Sequence, residues 1–243
     1  MTSIIQADNL IKTFGNKEVI RNCSLSVKKG EIYGFLGANG AGKTTVLKLI
    51  CGLLRPTAGT IEVAGIDAVQ SREAVLAKIG SIIEVPVFYE HLSAAENLRI
   101  HLAYLGLAGK ADIEDALERV GLPNTENQKV ATFSLGMRQR LGIARAIIHR
   151  PEILLLDEPI NGLDPAGIRE VRELLRSLSR NDGVTIMISS HIISEIEHIA
   201  DTVGIIANGT MMRETPVSAL HAERPNGLED YLIELMSGGK TYA

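Results

Sequence analysis

Hydrophobic and polar positions alternate near the N-terminus. Cys23, Leu25 and Val27 lie at every second position, and Gly15-Asn16 is a turn pair a few residues earlier. A period of two is typical of half-buried strands. The pattern therefore predicts an N-terminal lobe of short antiparallel strands, to which residues 61–63 add another.

Continuous apolar runs follow this alternating region. Residues 32–36, 153–156 and 184–190 are short and apolar, as expected for strands buried on both faces of a parallel sheet. Residues 203–207 precede Asn208-Gly209, a pair that favours a type I′ hairpin turn. The chain therefore has the strands of an α/β core.

The stretch from about Ser71 to Arg150 has a helical pattern, and we see no strand signal within it. Ser93 and Glu96 form a capping box, and Asp112 and Ser134 are candidate first residues of further helices. We therefore expect a separate helical lobe inserted into the core. The predicted division is a single domain with its core at about 1–84 and 151–222, its helical lobe at about 85–150, and a short helix at about 227–236.

The first candidate functional motif lies between the strand at 32–36 and the helix that follows it. Gly37, Gly42, Lys43 and Thr44 match the phosphate-loop pattern G-x-x-x-x-G-K-[ST], and the pattern joins a strand to a helix as it must. Its N–H groups and helix N-terminus can bind one phosphate, with Lys43 facing the β and γ phosphates and Thr44 facing Mg²⁺. A chance Gly-rich turn is the alternative. The predicted ATP contacts are Gly37, Ala38, Asn39, Gly40, Ala41, Gly42, Lys43, Thr44 and Thr45.

Acidic residues follow the strand at 153–156. Carboxylates at the carboxyl end of a parallel strand lie where α/β sheets bind ligands. Asp157 is predicted to hold Mg²⁺, directly or through water, and Glu158 to act as general base toward the attacking water. His191 follows the strand at 184–190 and can donate a hydrogen bond beside the γ-phosphate, although a lone histidine is as often structural.

Composition agrees with a cytosolic globular enzyme. The 243 residues are 45% hydrophobic and 22% charged, with a formal net charge of −4, so no nucleic-acid partner is expected. The two cysteines lack metal-site spacing and are expected to be buried, reduced thiols. We see no secretory signal, and no apolar run approaches the ~18 residues that span a bilayer. A role at a membrane would therefore require a partner.

The motifs GANGAGKTT, FSLGMRQ, ILLLDEP, NGLD and SSH, in this order, resemble those of ABC-type ATP-binding subunits. The resemblance implies a P-loop NTPase with a RecA-like core, an N-terminal antiparallel β lobe and an inserted helical lobe, using ATP and Mg²⁺. From the residues alone, Phe14 is either a plain turn aromatic or a side chain that stacks on a base. In the family that the chain resembles, it falls at the base-stacking position. Ser134 and Gly136 fall in the signature loop, and Asp164 lies in the NGLD motif. The family forms head-to-tail dimers, of identical or homologous subunits, with two ATP molecules between them.

Departures from the family pattern indicate which subgroup of the family the chain resembles. Leu135 replaces a glycine and Met137 a glutamine in the signature, and Glu84 stands where a glutamine links magnesium to the helical lobe. Glu84 is thus a third candidate metal residue. This version is most similar to the bacitracin and lantibiotic self-protection exporters of Gram-positive bacteria, whose ATPases act at the cytoplasmic face of the membrane. We expect integral-membrane permease subunits to bind around residues 86–96.

A different class of function shares the same catalytic residues. A soluble ABC-type ATPase that drives assembly of a protein complex, without transport, would need the same ATP site. A simple P-loop kinase is a third option, against which the His191 and Ser134 motifs argue. Binding to a permease distinguishes the exporter from the other two.

Overall fold

The computed structural model describes residues 2–109, 111–223 and 235. The described residues form two β-sheets with helices around them. The strands are β1 (Ser3–Phe14), β2 (Lys17–Lys28), β3 (Ile32–Leu36), β4 (Ala58–Val63), β5 (Ile66–Asp67), β6 (Ile79–Ile82), β7 (Ile153–Asp157), β8 (Thr185–Ser190), β9 (Thr202–Ala207) and β10 (Thr210–Pro216). The α-helices are α1 (Lys43–Ile50), α2 (Arg72–Leu76), α3 (Ala94–Tyr104), α4 (Ile113–Arg119), α5 (Leu135–Ile147), α6 (Pro165–Arg180), α7 (Ile193–Glu197) and α8 (Val217–Glu223).

The N-terminal lobe is an antiparallel sheet. Its strands lie in the order β2-β1-β4-β5 among the described residues. Cys23, Leu25 and Val27 are buried on one face of β2, whereas Ser24 is exposed and Ser26 only partly buried. The predicted alternation is therefore confirmed.

The core sheet carries the order β10-β9-β3-β8-β7-β6 in the described part of the chain. Strands β9, β3, β8, β7 and β6 pair in parallel, and β10 returns antiparallel to β9. Asn208 (φ 50°) and Gly209 (φ 81°) both have positive φ at the hairpin turn, as a type I′ turn requires. Tyr33 and Phe35 pack on one face of this sheet and Ile32 and Leu36 on the other. Both faces are covered, which explains why these strands are continuously apolar.

The expectation of uninterrupted helix from Ser71 to Arg150 is wrong. Residues 79–82 form β6, which pairs in parallel with β7 from Ile79↔Ile153 to Ile82↔Leu156. The sequence IGSI is too short, and too poor in β-branched residues at its centre, to show a strand period. Its strand conformation comes from pairing with β7, which lies more than 70 residues away in sequence.

The helical part of the inserted segment consists of α3, α4 and α5. Ser93, Asp112 and Ser134 are their N-caps, as predicted, and Ser93 and Glu96 make both hydrogen bonds of a capping box. Leu98, Leu117 and other apolar residues of these helices pack into the cluster that also covers one face of the core sheet. The division at about residues 85 and 150 remains a prediction. The helix expected at 227–236 lies outside the described residues, except for Leu235, which packs on that cluster.

Cys23 and Cys51 are both free and buried. Burial in apolar surroundings raises the pKa of each thiol to about 12. They therefore act as small hydrophobic side chains in the core. Among the described helices, none is long and apolar enough to cross a bilayer.

Candidate active site

Three neighbouring strands bring the predicted catalytic segments together. β3 ends at the phosphate loop, β8 ends before His191, and β7 ends at Asp157, with Glu158 next. Because the order β3-β8-β7 is parallel, these carboxyl ends meet at one edge of the sheet. This edge is where open α/β sheets bind ligands.

The phosphate loop depends on its glycines. Gly42 has φ 111°, a conformation that side chains disfavour, and it directly precedes α1. A Cβ on Gly37 would lie 2.6 Å from the carbonyl oxygen of Ile206. The first turn of α1 has no side-chain cap, so its N–H groups remain available to an anion. The loop therefore has the geometry of a phosphate cradle.

Lys43 is folded into this cradle. Its side chain is 6% exposed, and its Nζ donates hydrogen bonds to the carbonyl oxygens of Gly37 at 2.7 Å and Ala38 at 3.3 Å. The same Nζ lies 3.2 Å from Glu158 Oε1. The ammonium group thus joins the loop to the carboxylate predicted to be the base, in a setting where charge is weakly screened.

Thr44 and Asp157 form a pair of oxygen ligands. The Thr44 Oγ1 hydroxyl donates to Asp157 Oδ2 at 2.8 Å, and the Ser189 Oγ hydroxyl donates to Asp157 Oδ1 at 2.5 Å. Mg²⁺ prefers one or two protein oxygens together with phosphates and water, which a hydroxyl and a carboxylate beside a phosphate cradle can complete. The residues therefore fit the ion. Ser189 was not predicted as a site residue, although its place near the end of a buried strand was a usable signal.

Glu158 is held between two positively polarised groups. Its Oε2 lies 2.9 Å from His191 Nδ1, on the opposite side from the Lys43 contact. Its backbone has φ 49°, and its N–H donates to the carbonyl and hydroxyl oxygens of Ser189 at 3.2 and 3.1 Å. An unusual backbone conformation fixed by hydrogen bonds is common at functional sites. Near Glu158, burial raises the pKa of the Glu195 carboxyl. The charges of Arg172 and His191 oppose this increase, and the charge of Glu158 adds to it.

Glu84 lies near the metal candidates, but its carboxylate points elsewhere. Its backbone N–H is 3.4 Å from Asp157 Oδ2, whereas its side chain is 65% exposed and pairs with Lys48 Nζ at 2.6 Å. The positive φ of Glu84, 64°, turns the chain at this point. Its predicted contact with the metal stays a prediction.

Ser134, Gly136 and Asp164 belong to a second group. Ser134 Oγ accepts from Met137 N at 3.2 Å as the N-cap of α5, and Asp164 Oδ1 accepts from Gly167 N at 2.8 Å as the N-cap of α6. The two loops lie side by side, since a Cβ on Gly162 would be 3.2 Å from Leu135 Cδ2. The N-termini of α5 and α6 are therefore near each other.

Phe14 ends β1 and is 45% exposed. Lys12 Nζ lies 4.9 Å from its ring centroid and also donates to the carbonyl oxygen of Arg55 at 2.8 Å. An exposed ring face beside a cation can stack on a base. Its predicted role stays a prediction.

This site has a phosphate loop that joins a strand to a helix, and a hydroxyl and a carboxylate lie in contact beside the loop. These features define the class of P-loop nucleotide-binding proteins. The family model described as ABC transporter matches residues 20–161. The bacitracin transport ATP-binding protein BcrA of Bacillus licheniformis is 48% identical over 96% of this chain and 76% of its own length. The lantibiotic transport ATP-binding protein SrtF of Streptococcus pyogenes is 45% identical over 87% of this chain and 90% of its own.

A solved structure agrees with these relatives. The cassette MJ0796, a dimer in a post-hydrolysis state with ADP and Pi, has a TM-score of 0.77 and 26% identity, and the match covers 88% of this chain and 98% of that one. The chain therefore belongs to the ABC transporter ATP-binding family. It is an ATPase of the ABC cassette fold, in a family whose members pair with permease subunits and form dimers.

Proposed function

We propose that this chain is the ATP-hydrolysing subunit of a membrane exporter for an amphipathic peptide antibiotic, and that it protects the producing cell. The observation that carries the ATPase part is the Glu158 carboxylate held between Lys43 and His191. The substrate class is supported by the bacitracin and lantibiotic transport relatives at 48% and 45% identity. In this proposal the chain is bound to the cytoplasmic face of the membrane through its permease.

The site residues divide the work of hydrolysis. Lys43 leaves the loop carbonyls and binds the β and γ phosphates. Glu158 accepts a proton from the attacking water, and His191 orients Glu158 through Nδ1. Thr44 and Asp157 would hold Mg²⁺, which supplies charge neutralisation on the phosphates.

The second group of residues completes the site of a partner subunit in this proposal. Ser134 and Gly136 lie at the N-terminus of α5, where free N–H groups attract an anion. Phe14 stacks on the adenine, and Asp164 lies beside the signature loop. A head-to-tail pair of chains would thus enclose ATP between the phosphate loop of one and Ser134 of the other.

Glu84→Gln tests whether this carboxylate serves the metal. We expect nearly unchanged ATP affinity but an altered Mg²⁺ dependence of hydrolysis, because glutamine keeps the shape and removes a negative charge near Asp157. The measurement is phosphate release across a magnesium titration. Lys48→Gln is the matched control, since it removes the same ion pair and leaves the carboxylate. An unchanged titration, or an equal shift in both variants, would show that Glu84 does not serve the metal.

The surface next to Glu84 supports permease binding. Val85 and Val87 are 76% and 79% exposed, and Tyr89 is 50% exposed, so large apolar groups cluster on one short segment. An amphipathic helix of a permease can bind such apolar residues at the border of two lobes. The segment directly follows Glu84, which links it to the ATP site.

Val87→Glu tests this interface. Co-expressed with the membrane proteins encoded beside it, the parent chain should be found in the membrane fraction, and Val87→Glu should move most of it to the soluble fraction with ATP binding intact. A charge placed in a desolvated apolar contact has no partner, which weakens binding. Leu53→Glu is the control, because Leu53 is also an exposed apolar residue, 48% exposed, outside the segment.

Two results together would contradict the exporter proposal. The parent chain would stay soluble with every such membrane protein, and its deletion would leave sensitivity to peptide antibiotics unchanged. The alternative, an ABC-type ATPase that drives assembly of a soluble complex, would then be the better proposal. Both proposals share the same ATP chemistry. Only the partner separates them.

A further inference from the structure

One face of helix α5 contacts the segment 86–90 along its length. The contacts come from Arg138, Gly142 and Arg145, at spacings of four and three residues. Residues so spaced lie on one side of a helix. The same helix begins at the Ser134 N-cap. The segment and the signature loop are therefore attached to a single rigid element.

The first contact is a two-point ion pair. Arg138 Nη2 donates to Glu90 Oε2 at 2.7 Å, and Nη1 donates to Oε1. Arg138 Nε also donates to the carbonyl oxygen of Phe133 at 3.3 Å. The hydrogen bonds from Arg138 lower the pKa of the Glu90 carboxyl. Arg138 thus connects Glu90 to the carbonyl that directly precedes Ser134, with the planar geometry that fixes orientation.

The other contacts hold the far end of the segment. Arg145 Nη1 donates to the carbonyl oxygen of Val87 at 2.8 Å, and its guanidinium carbon lies 4.7 Å from the ring centroid of Phe88. A Cβ on Gly142 would lie 3.1 Å from Pro86 Cβ, so the backbone of the helix approaches the segment closely. These contacts leave the segment little room to slide along α5.

Backbone hydrogen bonds attach the residues before Ser134 to the same region. Ala131 N donates to the carbonyl oxygen of Glu90 at 2.9 Å, and Val130 N donates to that of Leu92 at 3.0 Å. The chain entering the signature loop and the helix leaving it therefore both bind the segment that contains Glu90.

We propose that Arg138 is a positioning residue, which through Glu90 fixes the place of Ser134 so that the segment 86–90 and the signature loop move together. A partner that displaces the segment would displace the anion site at the start of α5. The consequence for ATP rests on the proposed head-to-tail dimer, whereas the mechanical link concerns the single chain. The two are tested separately.

Amide hydrogen exchange on the isolated chain tests the link itself. Met137 N donates to Ser134 Oγ at 3.2 Å, so its exchange rate reports the place of Ser134. We expect Glu90→Gln and Arg138→Ala each to speed exchange at Met137 by about tenfold, and the double variant to add little. Arg119→Ala, which breaks the ion pair between Arg119 at the end of α4 and Asp182 in the turn after α6, should leave Met137 at the parent rate.

Glu90→Gln keeps the shape of an exposed side chain, so it tests the link even if Arg138→Ala does not fold. An unchanged Met137 rate in Glu90→Gln, with faster exchange confined to residues 86–90, would overturn the proposal. Additive effects of the two substitutions would also overturn it, because residues that act as one pair are not additive.

The consequence for ATP is measured in a Glu158→Gln background by gel filtration at increasing ATP. Arg138→Ala and Glu90→Gln should raise the ATP concentration for half-maximal dimer by about tenfold, while ADP affinity of the monomer stays at the parent value. No dimer in the Glu158→Gln parent contradicts the proposed function and leaves the exchange result standing. A dimer that forms at the parent ATP concentration in both variants overturns the role of Arg138 in ATP binding.

Discussion

Glu158→Gln should bind ATP and hydrolyse it at least about 10²-fold more slowly than the parent, the loss expected when a positioned general base is removed. Glutamine fills the same space and can still contact Lys43 and His191, so the site should keep its shape. It cannot accept the proton of the attacking water at neutral pH. ATP should therefore persist at the site and hold two chains together.

Two measurements check this result, the rate of phosphate release and the elution of the ATP-bound protein in gel filtration. The matched control is Glu152→Gln, because Glu152 directly precedes the opposite end of the same strand and pairs with Lys78 at 2.6 Å. This control should hydrolyse ATP at the parent rate. Hydrolysis at the parent rate by Glu158→Gln as well would show that another group is the base.

The parts of the site that depend on adjacent residues could be predicted from the sequence. The phosphate loop, its strand and its helix are contiguous, and the glycine requirement is local. The N-caps Asp112, Ser134 and Asp164 are likewise set by bonds to residues three positions ahead. Such features need no knowledge of the tertiary structure.

Features that depend on distant parts of the chain could not be predicted. β6 was missed because its conformation comes from pairing with β7. The end of a buried strand was a usable signal for Ser189, but the contact of its hydroxyl with Asp157 could not be predicted, because that contact requires β8 next to β7 and strand order is not written in local periodicity. The ion pair of the Glu84 carboxylate with Lys48, 36 residues away in sequence, is another contact of this kind, and the predicted contact of Glu84 with magnesium stays a prediction.

Lys43→Ala should weaken ATP binding by at least about 10²-fold, which corresponds to about 2.7 kcal/mol, within the range of one or two hydrogen bonds from a charged group. The ammonium already lies within the loop, bonded to the carbonyl oxygens of Gly37 and Ala38, so it needs only a small movement to reach a phosphate. Without it, the phosphates would face Glu158 and Asp157 with no compensating cation from the protein.

The fold should survive this substitution, because the buried contacts of α1 come from apolar residues such as Val46, Leu47 and Ile50. Circular dichroism and thermal unfolding would check this, and ATP affinity would be measured by calorimetry. Lys48→Ala, a loss of the same charge from the same helix, is the control and should bind ATP with parent affinity. Lys48 pairs with Glu84 rather than with the loop. A large loss of ATP affinity in Lys48→Ala would therefore show that the loss of affinity in Lys43→Ala comes from the change in net charge. Parent affinity in Lys43→Ala would contradict the placement of the phosphates in this loop.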